Sequence, residues 1–386
     1  MTFNLSVVIR PNILTLQPYV CARDDFSEGI LLDANENAFG PNIADVKEGS
    51  SLHRYPDPRQ NELKSLMAKY RNETSGLNQD GIAPLKPENF CLGVGSDESI
   101  DLLIRATCIP GKDKILLLPP TYGMYSVCAA LNDVECVRCA LETADNFYQV
   151  NVEKILEILN ADSSIKLVFI TSPGNPTGAC IETSQIEQIL NGWTNGLVVV
   201  DEAYIDFASP SRSAALLANK YPNVAVLQTL SKSFGLAGIR LGFTITSCDI
   251  ARILNNMKAP YNISTVTSEL ATKALQPENI VMMESNVRKI NTEKLRVLKA
   301  LTALENVEDQ HVGGLDANFL LLRLKTCDNV VAKKLCINLA TKSGVVIRYR
   351  GGEHGCQGCV RITIGTKEEN DIMIEEFSRR LAELVE

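Results

Sequence analysis

From about Asn89 to Ile245, short β-branched apolar runs alternate with amphipathic stretches in which apolar residues recur at three and four. This alternation constrains the fold more than any other feature. Parallel strands cannot be joined by tight hairpins and need long crossovers, so the pattern builds a mainly parallel sheet covered by helices. Strands are predicted at Phe90–Leu92, Ile115–Leu118, Val134–Cys139, Lys166–Ile170, Leu197–Asp201, Val224–Thr229 and Leu241–Ile245, with helices including Asp97–Cys108, Val152–Leu159 and Ile186–Leu190. After Leu275 the chain reads as one long helix through Leu304. Strands are then expected at Phe319–Leu322, Val345–Ile347 and Val360–Ile364, and a closing helix from Lys367 to about Leu384. The expected organisation is therefore a large α/β domain over 51–275 and a smaller α+β domain over 276–386. Residues 1–50, with Pro11, Pro18 and Pro41 and little periodicity, are expected to form an arm that joins the small domain and packs on the body or on a partner subunit.

Composition narrows the function classes. With 386 residues the chain has room for two or three domains and a sizeable core. Lys+Arg 38 against Asp+Glu 46 leaves a net charge of −8, which argues against a nucleic-acid partner. The longest apolar runs, such as Ile165–Ile170, have the length of a buried strand and fall well short of the ~18 residues of a membrane span. Twelve cysteines are scattered along the chain, and the N-terminus lacks the basic and apolar regions of a secretory leader. Reduced thiols and a cytoplasmic location are the expectation.

Four segments place polar groups just beyond a strand end, where open parallel sheets bind ligands. In Leu92-Gly-Val-Gly-Ser-Asp-Glu98 a strand turns through glycine into a helix expected to start near Asp97, whose free N–H groups can cradle a phosphate. A dinucleotide fingerprint would need a third glycine where Glu98 stands. In Thr171-Ser-Pro-Gly-Asn-Pro-Thr-Gly178, two prolines and two glycines fix a rigid loop that aims the Asn175 amide. Val198-Val-Val-Asp-Glu-Ala-Tyr204 delivers Asp201 at the end of an apolar strand, where a carboxylate is expensive unless paired, with Tyr204 just beyond. The fourth segment, Thr229 to Arg240, sets Lys232 among small and apolar residues, where desolvation makes an amine nucleophilic. Taken singly, each has a plainer alternative: a helix cap, an ordinary turn, a salt-bridged aspartate and a solvated surface lysine.

Two other chemistries have sequence support to weigh. Cys136–Cys139 and Cys356–Cys359 each have the two-residue spacing of a zinc-ligand pair, with His354 near the second. However, Cys136 and Cys139 lie in a predicted strand, whose alternation points them to opposite faces, so no metal site is expected. A serine hydrolase lacks its G-x-S-x-G elbow, and His53, His311 and His354 read as surface or hydrogen-bonded residues.

Together the four segments supply a phosphate cup, an amide, a buried acid with a nearby phenol, and an amine flanked by Ser231 and Arg240. Pyridoxal phosphate needs that set: an amine for the Schiff base, a carboxylate facing the pyridine nitrogen, donors for the ring oxygen, and cations with N–H groups for the phosphate. The motifs SPGNPTG, VVVDEAY, TLSKSFGLAGIRLGF and VRITIGT resemble those of the fold-type I pyridoxal phosphate aminotransferases. The segments LQPYVCARDD, LDANENAFGP, HRYPDP, LGVGSDESIDLLIRA, PPTYGMYSV and GGLDANFLL are similar to the histidinol-phosphate branch of that family, especially in its fungal form, and the likeness spans nearly the whole chain.

The resemblance implies an α/β fold-type I transferase with a large, mainly parallel sheet domain and a smaller α+β domain. It makes Lys232 the Schiff-base lysine, Asp201 the partner of the pyridinium, and Asn175 and Tyr204 the ligands of the ring oxygen, with Lys232, Asp201 and Tyr204 as the catalytic set. Ser96, Asp97, Ser231 and Arg240 become the phosphate cup and Tyr122 the aromatic under the ring. Tyr55 would reach the cofactor from the neighbouring subunit of a homodimer, and Tyr19, Asn175, Arg348 and Arg361 would bind substrate. One departure is Gly174, where many bacterial relatives carry asparagine. The implied substrates are histidinol phosphate and the glutamate/2-oxoglutarate pair, with no membrane or nucleic-acid partner. Other readings of the same fold are an aminotransferase for aromatic or acidic amino acids and a phosphoamino-acid decarboxylase. A regulator built on this fold would be expected to carry an added DNA-binding module.

Overall fold

The computed structural model describes residues 2–20, 30, 32–43, 51–76 and 81–385. Two short helical turns, α1 (Leu5–Val8) and α2 (Pro11–Leu14), precede α3 (Asn61–Thr74). The large layer then runs β1 (Phe90–Val94), α4 (Gly95–Thr107), β2 (Lys114–Leu117), α5 (Met124–Leu131), β3 (Glu135–Arg138), α6 (Val152–Ala161), β4 (Ile165–Thr171), α7 (Thr183–Gly192), β5 (Leu197–Asp201), β6 (Val224–Thr229) and β7 (Leu241–Thr246). Helices α8 (Cys248–Met257), α9 (Thr265–Ala274) and α10 (Pro277–Thr302) lead to β8 (Phe319–Arg323), α11 (Asn329–Ser343), β9 (Arg348–Tyr349), β10 (Cys359–Thr363) and α12 (Lys367–Val385).

The seven strands of the large sheet lie in the order β1-β7-β6-β5-β4-β2-β3. Strand β7 is antiparallel to both neighbours, β1 and β6, and the remaining pairs are parallel. Apolar clusters cover both faces. Leu116, Val168, Val198 and Val226 face one, and Leu117, Phe169, Val199 and Leu227 face the other. This two-sided burial is why the central strands read as unbroken apolar runs rather than as an alternation. Cys139 packs in the first cluster and Cys136 against the second, as strand alternation required. All the described cysteines are free, and the described residues contain no cluster of three or more candidate metal ligands. Among them, no helix is long and apolar enough to cross a membrane.

The smaller sheet has the order β8-β10-β9 and its own cluster, with Leu320, Leu322, Val360 and Phe377. Helix α10 joins the two bodies. Pro277 opens it, where a missing N–H does no harm, and its 26 residues extend about 39 Å at 1.5 Å per residue. Met283 and Val287 near its start pack on the large core, and Val297 and Leu301 near its end pack on the small one.

Two expectations need correction. Val345–Ile347 is not a strand. The N–H groups of Gly344 and Val345 both close on the Leu339 carbonyl to finish α11, so pairing with β10 begins only at Arg348. The arm does not join the small domain over its described start: Val8 and Ile9 are buried in the second cluster of the large sheet, and Arg10 N–H donates to Ala106 O at 2.9 Å. Residues 21–25 of the LQPYVCARDD segment lie outside the described residues.

Candidate active site

Parallel strands β1, β4, β5 and β6 all point their carboxyl ends to one edge, and the reversed β7 starts at that same edge. Every segment singled out above therefore converges there: Gly95–Glu98 after β1, 172–178 after β4, Asp201 at the tip of β5, Lys232 after β6 and Arg240 before β7.

Asp201 is 3 % exposed. Tyr125 Oη–H donates to its Oδ2 at 2.6 Å and Ala203 N–H to its Oδ1 at 3.1 Å. Burial pushes its carboxyl above the usual range, and the Tyr125 bond opposes that rise. A cationic N–H facing this oxygen pair would favour its charged form. Tyr125, in the first turn of α5, stands three residues after Tyr122, and its ring stacks on Phe169 with centroids 4.5 Å apart. Although the PPTYGMYSV segment contains both tyrosines, the sequence reading singled out only Tyr122. That residue donates its hydroxyl to Asp97 Oδ1 at 3.1 Å, and its ring meets Tyr125 edge-on at 5.6 Å.

Lys232 Nζ lies 5.5 Å from the centre of the Tyr204 ring. Burial lowers the amine's pKa first, then the positive charges of Arg361 and Arg240, while Asp201 and Asp97 pull it back. The neutral, nucleophilic form is thus more populated than for a solvated lysine. Tyr204 is buried, and its ring meets Phe319 edge-on at 5.3 Å. Arg361 spreads over the other aromatic contact, 5.1 Å from the Phe319 ring centre, and donates through Nη1 to Asn175 Oδ1. The Asn175 loop and the β10 arginine, from different sheets, are thereby in direct contact. The glycine at 174 has a local reason: Thr177 Oγ1 occupies the space a Cβ would need.

The turn expected to form a phosphate cup is built by close backbone approach. Helix α4 begins at Gly95, two residues earlier than the sequence suggested, with Gly95 at φ +75° and its N–H donating to Arg240 O at 3.0 Å. A Cβ on Gly95 would strike the Arg240 guanidinium, and one on Gly242 would stand 2.5 Å from Ser96 N. The first N–H groups of a helix have no intrahelical partner, so Ser96 and Asp97 stand where an anion is favoured. Arg240 reaches over this turn, with Nη2 3.6 Å from Asp97 Oδ2. Ser231 N–H donates to Thr229 Oγ1 at 3.1 Å, which anchors the chain before Lys232.

A buried polar network next to the lysine in sequence had no sequence signal, because its members are spread from 71 to 233. Ser233 Oγ–H donates to Asp206 Oδ2 at 2.5 Å, and Arg71 of α3 pairs with Asp206 Oδ1 at 2.8 Å. Arg71 Nε–H also donates to Gln228 Oε1 at 2.7 Å, and Gln228 donates to Glu202 Oε2 at 2.7 Å. Each buried charge has partners, as burial requires.

Three named residues are exposed. Arg348 is exposed on β9, directly opposite Arg361 in the ladder. Tyr55 is half exposed and stacks on Tyr261 at 4.6 Å. Tyr19 lines a cleft of about 620 Å³ with Arg59, Lys64 and Lys258, whose walls include none of Lys232, Asn175, Arg348 or Arg361.

A family model described as aminotransferase class I and II matches residues 25–377. The chain belongs to that family. Among curated relatives, the histidinol-phosphate aminotransferase of Saccharomyces cerevisiae is 60 % identical over 385 residues, covering 100 % of this chain and 99 % of that one. The Schizosaccharomyces pombe protein of the same name is 51 % identical over 388 residues, covering 99 % and 98 %. In fold, the family member is similar to the Sinorhizobium meliloti histidinol-phosphate aminotransferase solved in complex with pyridoxal-5'-phosphate, at a TM-score of 0.76 and 21 % identity over 91 % of this chain and 90 % of that one. As a member of this family the enzyme is a pyridoxal phosphate-dependent transaminase. The buried Asp201 pair, the nucleophilic Lys232 and the cradle at Gly95 suit that cofactor.

Proposed function

We propose that the enzyme passes an amino group between L-histidinol phosphate and 2-oxoglutarate, giving imidazole-acetol phosphate and L-glutamate, as a step of L-histidine biosynthesis in the cytoplasm. The observation that carries the reading is likeness over the full chain, at 60 % and 51 % identity, to proteins of that activity. Pyridoxal phosphate, when bound, supplies an electron sink for the substrate Cα. Around it, Ser96, Asp97, Ser231 and Arg240 would hold the phosphate, Asn175 and Tyr204 would hold the ring oxygen, and Tyr122 would supply an aromatic face. Asp201, to which Tyr125 donates, would favour a proton on the pyridine nitrogen. Lys232 would anchor the cofactor and, as a free amine, would take and return the Cα proton, a role its lowered pKa supports.

Both substrates must use one anion site, because they enter in turn. Arg361 and Arg348 face each other across the β9–β10 ladder and can grip carboxylate or phosphate through paired N–H donors. Histidinol without its phosphate leaves that half-buried charge unpaired. It is expected to be a poorer donor by roughly 30- to 5,000-fold in kcat/KM, the equivalent of about 2 to 5 kcal/mol. Half-reactions followed by cofactor absorbance measure this. A faster half-reaction with phenylalanine or tyrosine would replace the proposed substrate with an aromatic amino acid.

We further propose that the active form is a homodimer in which Tyr55 serves the neighbouring site and Tyr19 closes on substrate. In support, Tyr55 and Tyr19 are 51 % and 66 % exposed in the single chain. Mixing inactive Lys232→Ala with inactive Tyr55→Ala subunits is expected to restore activity, since a mixed dimer regains one intact site. No recovery after proven subunit exchange would remove the shared-site proposal.

A further inference from the structure

Strand alternation places a third arginine beside the two already assigned to the anion site. Arg348 pairs with Arg361 between β9 and β10, and the next ladder contact is Arg350 N–H donating to Cys359 O at 2.9 Å. Residues two apart on an extended strand share a face, so Arg350 lies on the face of Arg348 and Arg361. Its charge reaches Arg361, whose pKa is lowered first by burial and then by Arg350.

Arg350 is held by a counter-charge. Its Nη1 donates to Glu353 Oε1 at 2.8 Å. That contact leaves donors and acceptors in reserve: Arg350 Nε, Arg361 Nε and Glu353 Oε2 are buried with no hydrogen-bond partner. Buried groups of this kind are expensive and normally satisfied, so the two unpartnered arginine N–H donors suit an anion, whereas Glu353 Oε2, an acceptor, does not. Burial also raises the Glu353 pKa, so its hold on Arg350 is not that of a fully solvated carboxylate.

The proposed substrates differ in the charge they bring here. A carboxylate carries one negative charge and two acceptor oxygens, whereas a phosphate monoester carries about −1.5 to −2 and three. Arg348 and Arg361 can each meet one oxygen of the first, but the same pair leaves the third oxygen of the second unmet. We propose that Arg350 is a specificity-determining residue: it stays on Glu353 while a carboxylate occupies the site and turns to the third oxygen of a phosphate monoester. One arginine pair then serves both half-reactions, and the third tips the site toward the phosphorylated substrate. This rests on the substrate assignment made above.

The test uses the holoenzyme with Arg350→Gln, Arg350→Lys and Glu353→Gln. Each is assayed in half-reactions with histidinol phosphate and with glutamate, and for binding of inorganic phosphate by calorimetry. Arg350→Gln is expected to lower the histidinol phosphate-to-glutamate ratio of kcat/KM at least about tenfold and to weaken inorganic phosphate binding by a similar factor. Arg350→Lys should recover part of both, since it restores the charge without the fork. Glu353→Gln should tighten inorganic phosphate binding by freeing Arg350. Equal loss for both substrates, or no change in phosphate binding, would overturn the proposal. If the unmodified enzyme shows no preference for histidinol phosphate over histidinol, the substrate assignment fails. Phosphate binding by the variants still decides whether Arg350 is an anion ligand.

Discussion

Lys232→Ala is expected to lower turnover by at least about 10³-fold while the protein still takes up pyridoxal phosphate. Two roles vanish with one amine: covalent anchoring and transfer of the Cα proton, the second alone worth roughly 10² to 10⁴ in rate. Uptake persists because the phosphate cup, Asp201 and Asn175 do not depend on the lysine for their own contacts. In the unmodified enzyme, borohydride reduction followed by peptide mapping should find the cofactor on the peptide containing Lys232. An adduct on a different lysine, or near-normal turnover by the variant, would reassign the anchor.

Asp201→Asn is expected to hold the cofactor and lose roughly 10²- to 10³-fold in kcat, the size of effect seen when one aimed electrostatic partner is removed from a water-excluded site. The amide matches the carboxylate in size, so packing beneath Tyr125 survives. What disappears is the negative charge that keeps a proton on the pyridine nitrogen. Burial disfavours that charge in the protein alone, and a cation facing it would favour it. Absorbance of the bound cofactor separates loss of binding from loss of chemistry. Turnover close to that of the unmodified enzyme would place the acid elsewhere.

The large sheet was readable because Val198–Val200 and Val224–Leu227 are buried on both faces, which leaves unbroken apolar runs in the sequence. Lys232 and Asp201 could be named because each follows such a run by at most a few residues, so local sequence fixes their place at the sheet edge. Partners that meet only through the tertiary fold left no such trace. Arg71 and Asp206 are 135 residues apart, and Arg361 and Asn175 are 186 apart. Val345–Ile347 misled for a different reason, since high strand propensity was overridden by the closing turn of α11. Arg350 was passed over because a two-residue strand is too short to show a period.

The contact between Asn175 and Arg361 ties a loop of the large sheet to a strand of the small one. A hydrogen bond to a charged group contributes about 1.5 to 3 kcal/mol, and Arg361 Nε stays without a partner while Nη1 holds Asn175. An incoming anion can therefore meet Arg361 without giving up the tie between the two bodies. The side chain that fixes the spacing of the two sheets is the same one that would receive the substrate, so the grip is in position before anything arrives.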